Sequence, residues 1–191
     1  MRRWRVLALA LLVVAASSVF VVWRISAADG RKLPSGQLRD QLAAEVVEVL
    51  ERDPTFRTEV TREPGPRPVC VASVFGAAPD GADTVHEVRT IYTWVNCLWL
   101  RPADVAKGAA DLNFSDLSGV GMPIALHLGP PVTYEAPEDG EGNPDSVRRI
   151  FPKSLETAAF SHPWPSAQDE LRQRVLQVVA SSAPSPSPSH S

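Results

Sequence analysis

The chain opens with an uncharged apolar block, residues 6–23, set between Arg2, Arg3 and Arg5 on one side and Arg24 on the other. Its 18 residues are mostly Leu, Val and Ala. As a helix they would rise about 27 Å, close to the hydrocarbon thickness of a bilayer. Trp4 and Trp23 stand one near each end, where amphipathic indoles favour the membrane interface. The pattern predicts a membrane-spanning helix. Small residues at Ser26, Ala27 and Ala28 make a cleaved signal peptide the alternative. The length of the block, its terminal Trp and the charge that follows favour an uncleaved signal anchor.

Downstream the apolar spacing changes. Leu38, Leu42, Val46, Val49 and Leu50 form a stripe at helical spacing, with Arg39, Asp40, Glu48 and Glu51 mostly off it. Pro34-Ser35 marks the start of this helix. Asp53-Pro54 marks its end, because a residue before proline avoids the helical region. Pro64, Pro66 and Pro68 lead into a valine-rich first strand over 69–75, and residues 76–81 have turn composition. The segment 85–100 is the longest strand candidate, with apolar residues on both faces, as in a strand covered on both sides or one at the centre of a sheet.

A short helix is expected over 103–110 and a loop over 113–121. A third strand follows over 122–128, with Pro123 at its beginning or on an edge, then a short fourth strand over 132–136. Residues 137–144 read as loop, and 145–151 as a helical turn ended by Pro152. Ser166 with Asp169 resembles a capping box ahead of a helix carrying Leu171, Val175, Val178 and Val179 on one side. From Ser181 onward the Pro/Ser alternation cannot build a core and predicts disorder.

These elements predict an α+β class: a helix, an antiparallel sheet of three to four strands and a C-terminal helix, with the helices gathered on one sheet face. The expected organisation is a cytoplasmic basic segment 1–5, a transmembrane anchor 6–23 and a linker 24–34. An extracytoplasmic domain follows over 35–180, then a Pro/Ser tail over 181–191. The order of a helix and then a meander resembles the cystatin-like and NTF2-like folds, a likeness of element order alone. The Ala/Val/Pro/Arg usage behind a single anchor resembles small membrane-anchored or exported proteins of high-GC Gram-positive bacteria. That resemblance implies a place in the bacterial envelope and supplies no active residues.

Charge narrows the partners. Residues 1–24 hold four of the 19 basic residues and no acidic one, so the remainder carries 15 basic against 22 acidic residues. An acidic domain repels phosphate backbones, which argues against nucleic acid. The lipid bilayer is the expected partner of the N-terminal helix, with another envelope protein as a second candidate. Positive charge flanks both sides of the apolar block almost equally. The two cysteines help break that tie. Cys70 and Cys97 both lie in strand-like runs, and an even count behind an export signal predicts one disulfide, with two unpaired core thiols as the alternative. A hairpin would bring them together only as an antiparallel pair. Symmetric pairing centres the turn near Asp83 and Thr84, past Asp80-Gly81, which requires a long loop or a bulge.

Candidate chemistry is sparse. Oxygen-bearing side chains alternate from Asp139 through Glu141 and Asn143 to Asp145, the spacing of calcium-loop ligands. Pro144 stands where such a loop needs glycine, however, and Ile150 where it needs glutamate, so a solvated turn with Asp145 as a helix cap is favoured. No metal site and no cofactor are expected. Neither G-x-S-x-G nor S-x-x-K occurs. His127, in an apolar strand, is a candidate general base, although a lone strand histidine is more often simply hydrogen-bonded. Tyr92, Trp94 and Trp99 cluster on one strand, the first two on one face and Trp99 on the other. With His127 and Trp164, they are the candidate ligand or partner surface, although sheet aromatics are usually core. The reading that follows is a membrane-tethered, extracytoplasmic binding or interaction module without enzymatic activity. The alternative is a hydrolase-like or lyase-like enzyme that uses His127 as base with an acidic partner the sequence does not identify.

Overall fold

A serine ahead of an amphipathic stripe starts the first helix. In the computed structural model, which describes residues 34–54, 56, 67–162 and 166–182, α1 spans Gly36–Arg52. Ser35 Oγ accepts the Leu38 N–H at 3.3 Å, the usual satisfaction of an orphan donor at a helix start. Asp53 ends the helix in extended geometry. The apolar block 6–23, Trp164 and the tail from residue 183 lie outside the described residues. Among the described residues, no helix is long and apolar enough to cross a membrane.

Four strands follow as a meander in the order β1-β2-β3-β4. β1 is Arg67–Ala78 and β2 is Thr90–Leu100, with a short 3-10 turn at Val85–Glu87 between them. The segment expected to be one strand from residue 85 therefore enters the sheet only at Thr90. The register explains this. Cys70 faces Cys97, a bulge at Phe75 shifts the pairing by one residue, and Ala78 faces Thr90, which leaves residues 79–89 as the connection. Both remedies that the symmetric cysteine pairing required, a long loop and a bulge, are present. The two sulfurs are joined, with Cα atoms 4.1 Å apart. Such a short separation is typical of a facing pair that exchanges no backbone hydrogen bonds.

α2, Pro102–Lys107, is shorter than expected and stops at Gly108, whose φ of 77° suits a residue without Cβ. β3, Gly119–His127, begins three residues before the expected start. Pro123 lies inside it, opposite Trp94, at a position where β4, Thr133–Glu135, does not yet cover the outer side. A proline that cannot donate is tolerated there. α3, Asn143–Ile150, α4, Glu156–Phe160, and α5, Ser166–Ser182, complete the described chain.

The expectation that helices gather on one face is corrected: they cover both. Leu38, Leu42, Val46 and Leu50 of α1 pack on Cys70, Ile91, Val95, Cys97, Trp99, Ile124 and Leu126. The opposite face carries Val69, Val71 and Leu100 under Leu171, Val175 and Val179 of α5, and Tyr92 and Ala125 under Val147, Phe151 and Leu155. β2 is thus apolar on alternate residues in both directions because each face has its own helical layer. Fully burying each such Leu or Val contributes about 1.5–3 kcal/mol.

Candidate functional site

β2 carries one buried amide into the second face. Its even-numbered residues, Tyr92, Trp94 and Asn96, point away from α1, as strand alternation requires. Asn96 is only 2 % exposed. Its Oδ1 lies 2.8 Å from His162 Nε2, while its Nδ2 is buried without a partner. Whichever way the amide is turned, one of its polar ends is unsatisfied. Leaving such a group unpaired costs about 1–3 kcal/mol.

The neighbouring strand makes room for this amide. Gly121 faces Asn96, and a Cβ at Gly121 would sit 2.8 Å from Asn96 Oδ1 and 3.2 Å from His162 Nε2. Gly119 faces Leu98, and a Cβ there would meet the Cys97 carbonyl oxygen at 2.5 Å and Leu98 Cδ2 at 2.7 Å. Glycine at both positions leaves a strip of bare backbone. Over it lies a trough of about 520 Å³, lined by Asn96, Leu98, Gly119, Gly121, His162 and Leu171, among others. The size suits a small ligand or one large side chain. Trp94 braces the wall: its Nε1 donates to the Ala158 carbonyl at 2.9 Å, and the His162 ring meets its indole edge-on at 4.5 Å between centroids.

His127 lies on the same sheet face, toward the other end of β3. Its Nδ1 is 3.1 Å from Thr90 Oγ1, and its Nε2 is 2.9 Å from Glu135 Oε1. Thr90, His127 and Glu135 come from three adjacent strands, so a hydroxyl, an imidazole and a carboxylate stand in line. Glu135 is thus a carboxylate within hydrogen-bond reach of His127. His127 and Glu135 side chains are 36 % and 57 % exposed, and the trough is not lined by either.

The other sequence candidates fall elsewhere. Tyr92, Trp94 and Trp99 are 9, 9 and 3 % exposed, so they form core and not an exposed aromatic patch. Tyr92 packs on Phe151, and Trp99, on the α1 side, packs on Phe56. Trp164 lies outside the described residues. Asp145 does not cap α3, whose cap position is Gly142; it pairs instead with Arg148 at 2.9 Å. Among the described residues, no three His, Cys, Asp or Glu side chains gather closely enough to hold a metal ion. The site residues that the sequence left unremarked are Asn96, Gly119 and Gly121. Their signal was an amide inside an otherwise apolar strand and a Gly-Val-Gly run at the start of the next.

Fold and site define an α+β domain with a covered four-stranded meander and an Asn96–His162 polar pair in a mostly apolar trough. Comparison of the chain with protein-family models, with curated proteins and with solved structures finds no match.

Proposed function

We propose that this chain is a membrane-tethered, extracytoplasmic binding module, held by residues 6–23 and binding through the trough on the second sheet face. The unpartnered amide end of Asn96 carries this reading. A buried polar group without a partner costs stability, and a bound acceptor or donor that the amide turns to meet would recover that cost inside an apolar surround. The ligand class is an apolar body with a single hydrogen-bonding group. The 18-residue apolar block supports the tether, and the Cys70–Cys97 disulfide suits an oxidising compartment.

Native mass spectrometry of the full chain extracted from membranes tests the reading. A small species should accompany the parent protein and be lost from Asn96→Ala, with the disulfide intact in both. Equal retention by the variant would remove the trough as the site.

The Thr90–His127–Glu135 line supports a second reading, that of a hydrolase-like enzyme. In it His127 Nδ1 takes the Thr90 hydroxyl proton, and Glu135 orients the ring and balances the imidazolium charge. Esterase substrates should then be turned over by the parent and by neither Thr90→Val nor His127→Gln. Activity that survives both substitutions would leave the three residues a cross-strand tie.

A further inference from the structure

β1 is a terminal strand of the sheet, and its outer edge lies in a slot between α1 and α5. Backbone groups of an antiparallel strand point alternately toward and away from the neighbour. The Cys70 N–H donates at 2.9 Å to Glu51 Oε1, a side chain of α1, so the Cys70 backbone points outward. Ala72, two residues on, points outward as well, and among the described residues no strand lies beyond it. The slot measures about 730 Å³ and has Cys70, Val71 and Ala72 on its floor.

Glu51 occupies the place where the carbonyl of an added strand would stand. Arg174 of α5 holds that carboxylate from across the slot, at 3.0 Å to Oε1 and 3.1 Å to Oε2. The arrangement protects an exposed edge from indiscriminate pairing. It is also reversible without stranding a charge, because Glu51 released from Cys70 keeps its ion pair with Arg174. We infer that the β1 edge accepts a basic, extended peptide segment of a partner protein as a fifth strand, in place of the Glu51 carboxylate.

In the added pair, a partner carbonyl takes the Cys70 N–H and a partner N–H donates to the Cys70 carbonyl, with a second exchange two residues on at Ala72. Charge selects the sequence. Glu48 pairs with Arg52 along α1, and Glu51 with Arg174 across the slot. Asp40 and Glu170 also line it, against Arg67 alone. The excess of one acid favours Lys or Arg on the incoming strand.

The full chain in detergent micelles, titrated with an uncharged-end hexapeptide of alternating Val and Lys, tests the inference. Controls are the Val/Glu counterpart and a Val/Lys peptide carrying a central proline. Amide hydrogen exchange at Ala72 should slow by about tenfold or more on adding the basic peptide, the scale of a gained hydrogen bond, and by neither control. Glu51→Ala should still protect Ala72 with peptide but discriminate less between the basic and acidic peptides than the parent, since it removes the competing carboxylate and the excess acid together. Ala72→Pro removes only an outward donor; it should keep the fold and lose the binding. Three results would overturn the inference. One is no protection in the parent and none in Glu51→Ala. Another is equal binding of the acidic peptide. The third is protection that appears without peptide as protein concentration rises, which would make a second copy of this chain the occupant.

Discussion

At the scale of single residues, the site depends on two glycines whose costs of substitution differ. A Cβ at Gly119 would meet a backbone carbonyl at 2.5 Å, which the β2 ladder holds in place. At Gly121 the obstructing atoms are side-chain ends, Asn96 Oδ1 and His162 Nε2. Removing a strand glycine also gains about 0.5–1 kcal/mol of chain entropy. Gly121→Ala should therefore stay within about 1 kcal/mol of the parent in urea denaturation, while Gly119→Ala should lose about 1–3 kcal/mol. The opposite ranking would contradict the geometry. Asp104 offers a pH test away from the site. It is 1 % exposed, and its pKa is lowered from 3.8, first by the hydrogen bond from Arg101 at 2.8 Å, with lesser help from Lys107 at 3.4 Å and against the opposing effect of burial. A carboxyl whose pKa is lower when folded contributes stability that is complete above the unfolded value. That contribution is lost as pH falls through the folded value. Acid titration of stability should thus show a decline below about pH 4 that Asp104→Asn lacks. Identical acid limbs for the two proteins would show that the Arg101 contact does not form in solution. Asn96 went unremarked in the sequence although it stands as a polar residue in an apolar strand, and the contact with its partner left no local signal. His162 lies 66 residues away, and only the path of α3 and α4 over the sheet brings it near.

At the scale of elements, local patterns located the helices and strands better than they located their ends. The α1 stripe, with Ser35 before it and Pro54 after it, corresponds closely to the helix that forms. The segment 85–100 was a poorer guide. Val85 and Val88 are apolar because they pack in the connection against the α1-side core, not because they extend β2. Register, in contrast, followed from the cysteines. Pairing Cys70 with Cys97 fixes β1 on β2, and with it which β1 side chains lie opposite each β2 residue. Replacing both cysteines with alanine should cost about 3 kcal/mol in the chain-entropy account, for a sequence separation of 27 residues. Unfolding of the parent and the double variant without reductant measures it. A difference below about 1 kcal/mol would mean that the sheet and α1 already hold the two strands without help.

At the scale of the whole molecule, the sequence could be read as helix, meander and helix, but not as layers. Apolar residues on both faces of β2 required a second cover, and α5 had the stripe to provide part of it. The remainder comes from α3 and α4, whose short, proline-flanked segments carry too little periodicity to be read as a layer. The apolar block 6–23 predicts the tether, and a topology test checks it directly. A phosphatase fused after Ser191 should be active in cells, and a reporter that works only in the cytosol should be silent there. The reverse pattern would place the domain inside. The central claim, that the trough binds a ligand in the envelope, is tested most directly by photo-crosslinking in living cells. A photoreactive side chain introduced at Leu98, on the trough wall, should yield an adduct that the same group at Gln173, on the exposed side of α5, does not yield. Adding Asn96→Ala should abolish the Leu98 adduct. No adduct from residue 98, or an adduct indifferent to the loss of Asn96, would contradict the account.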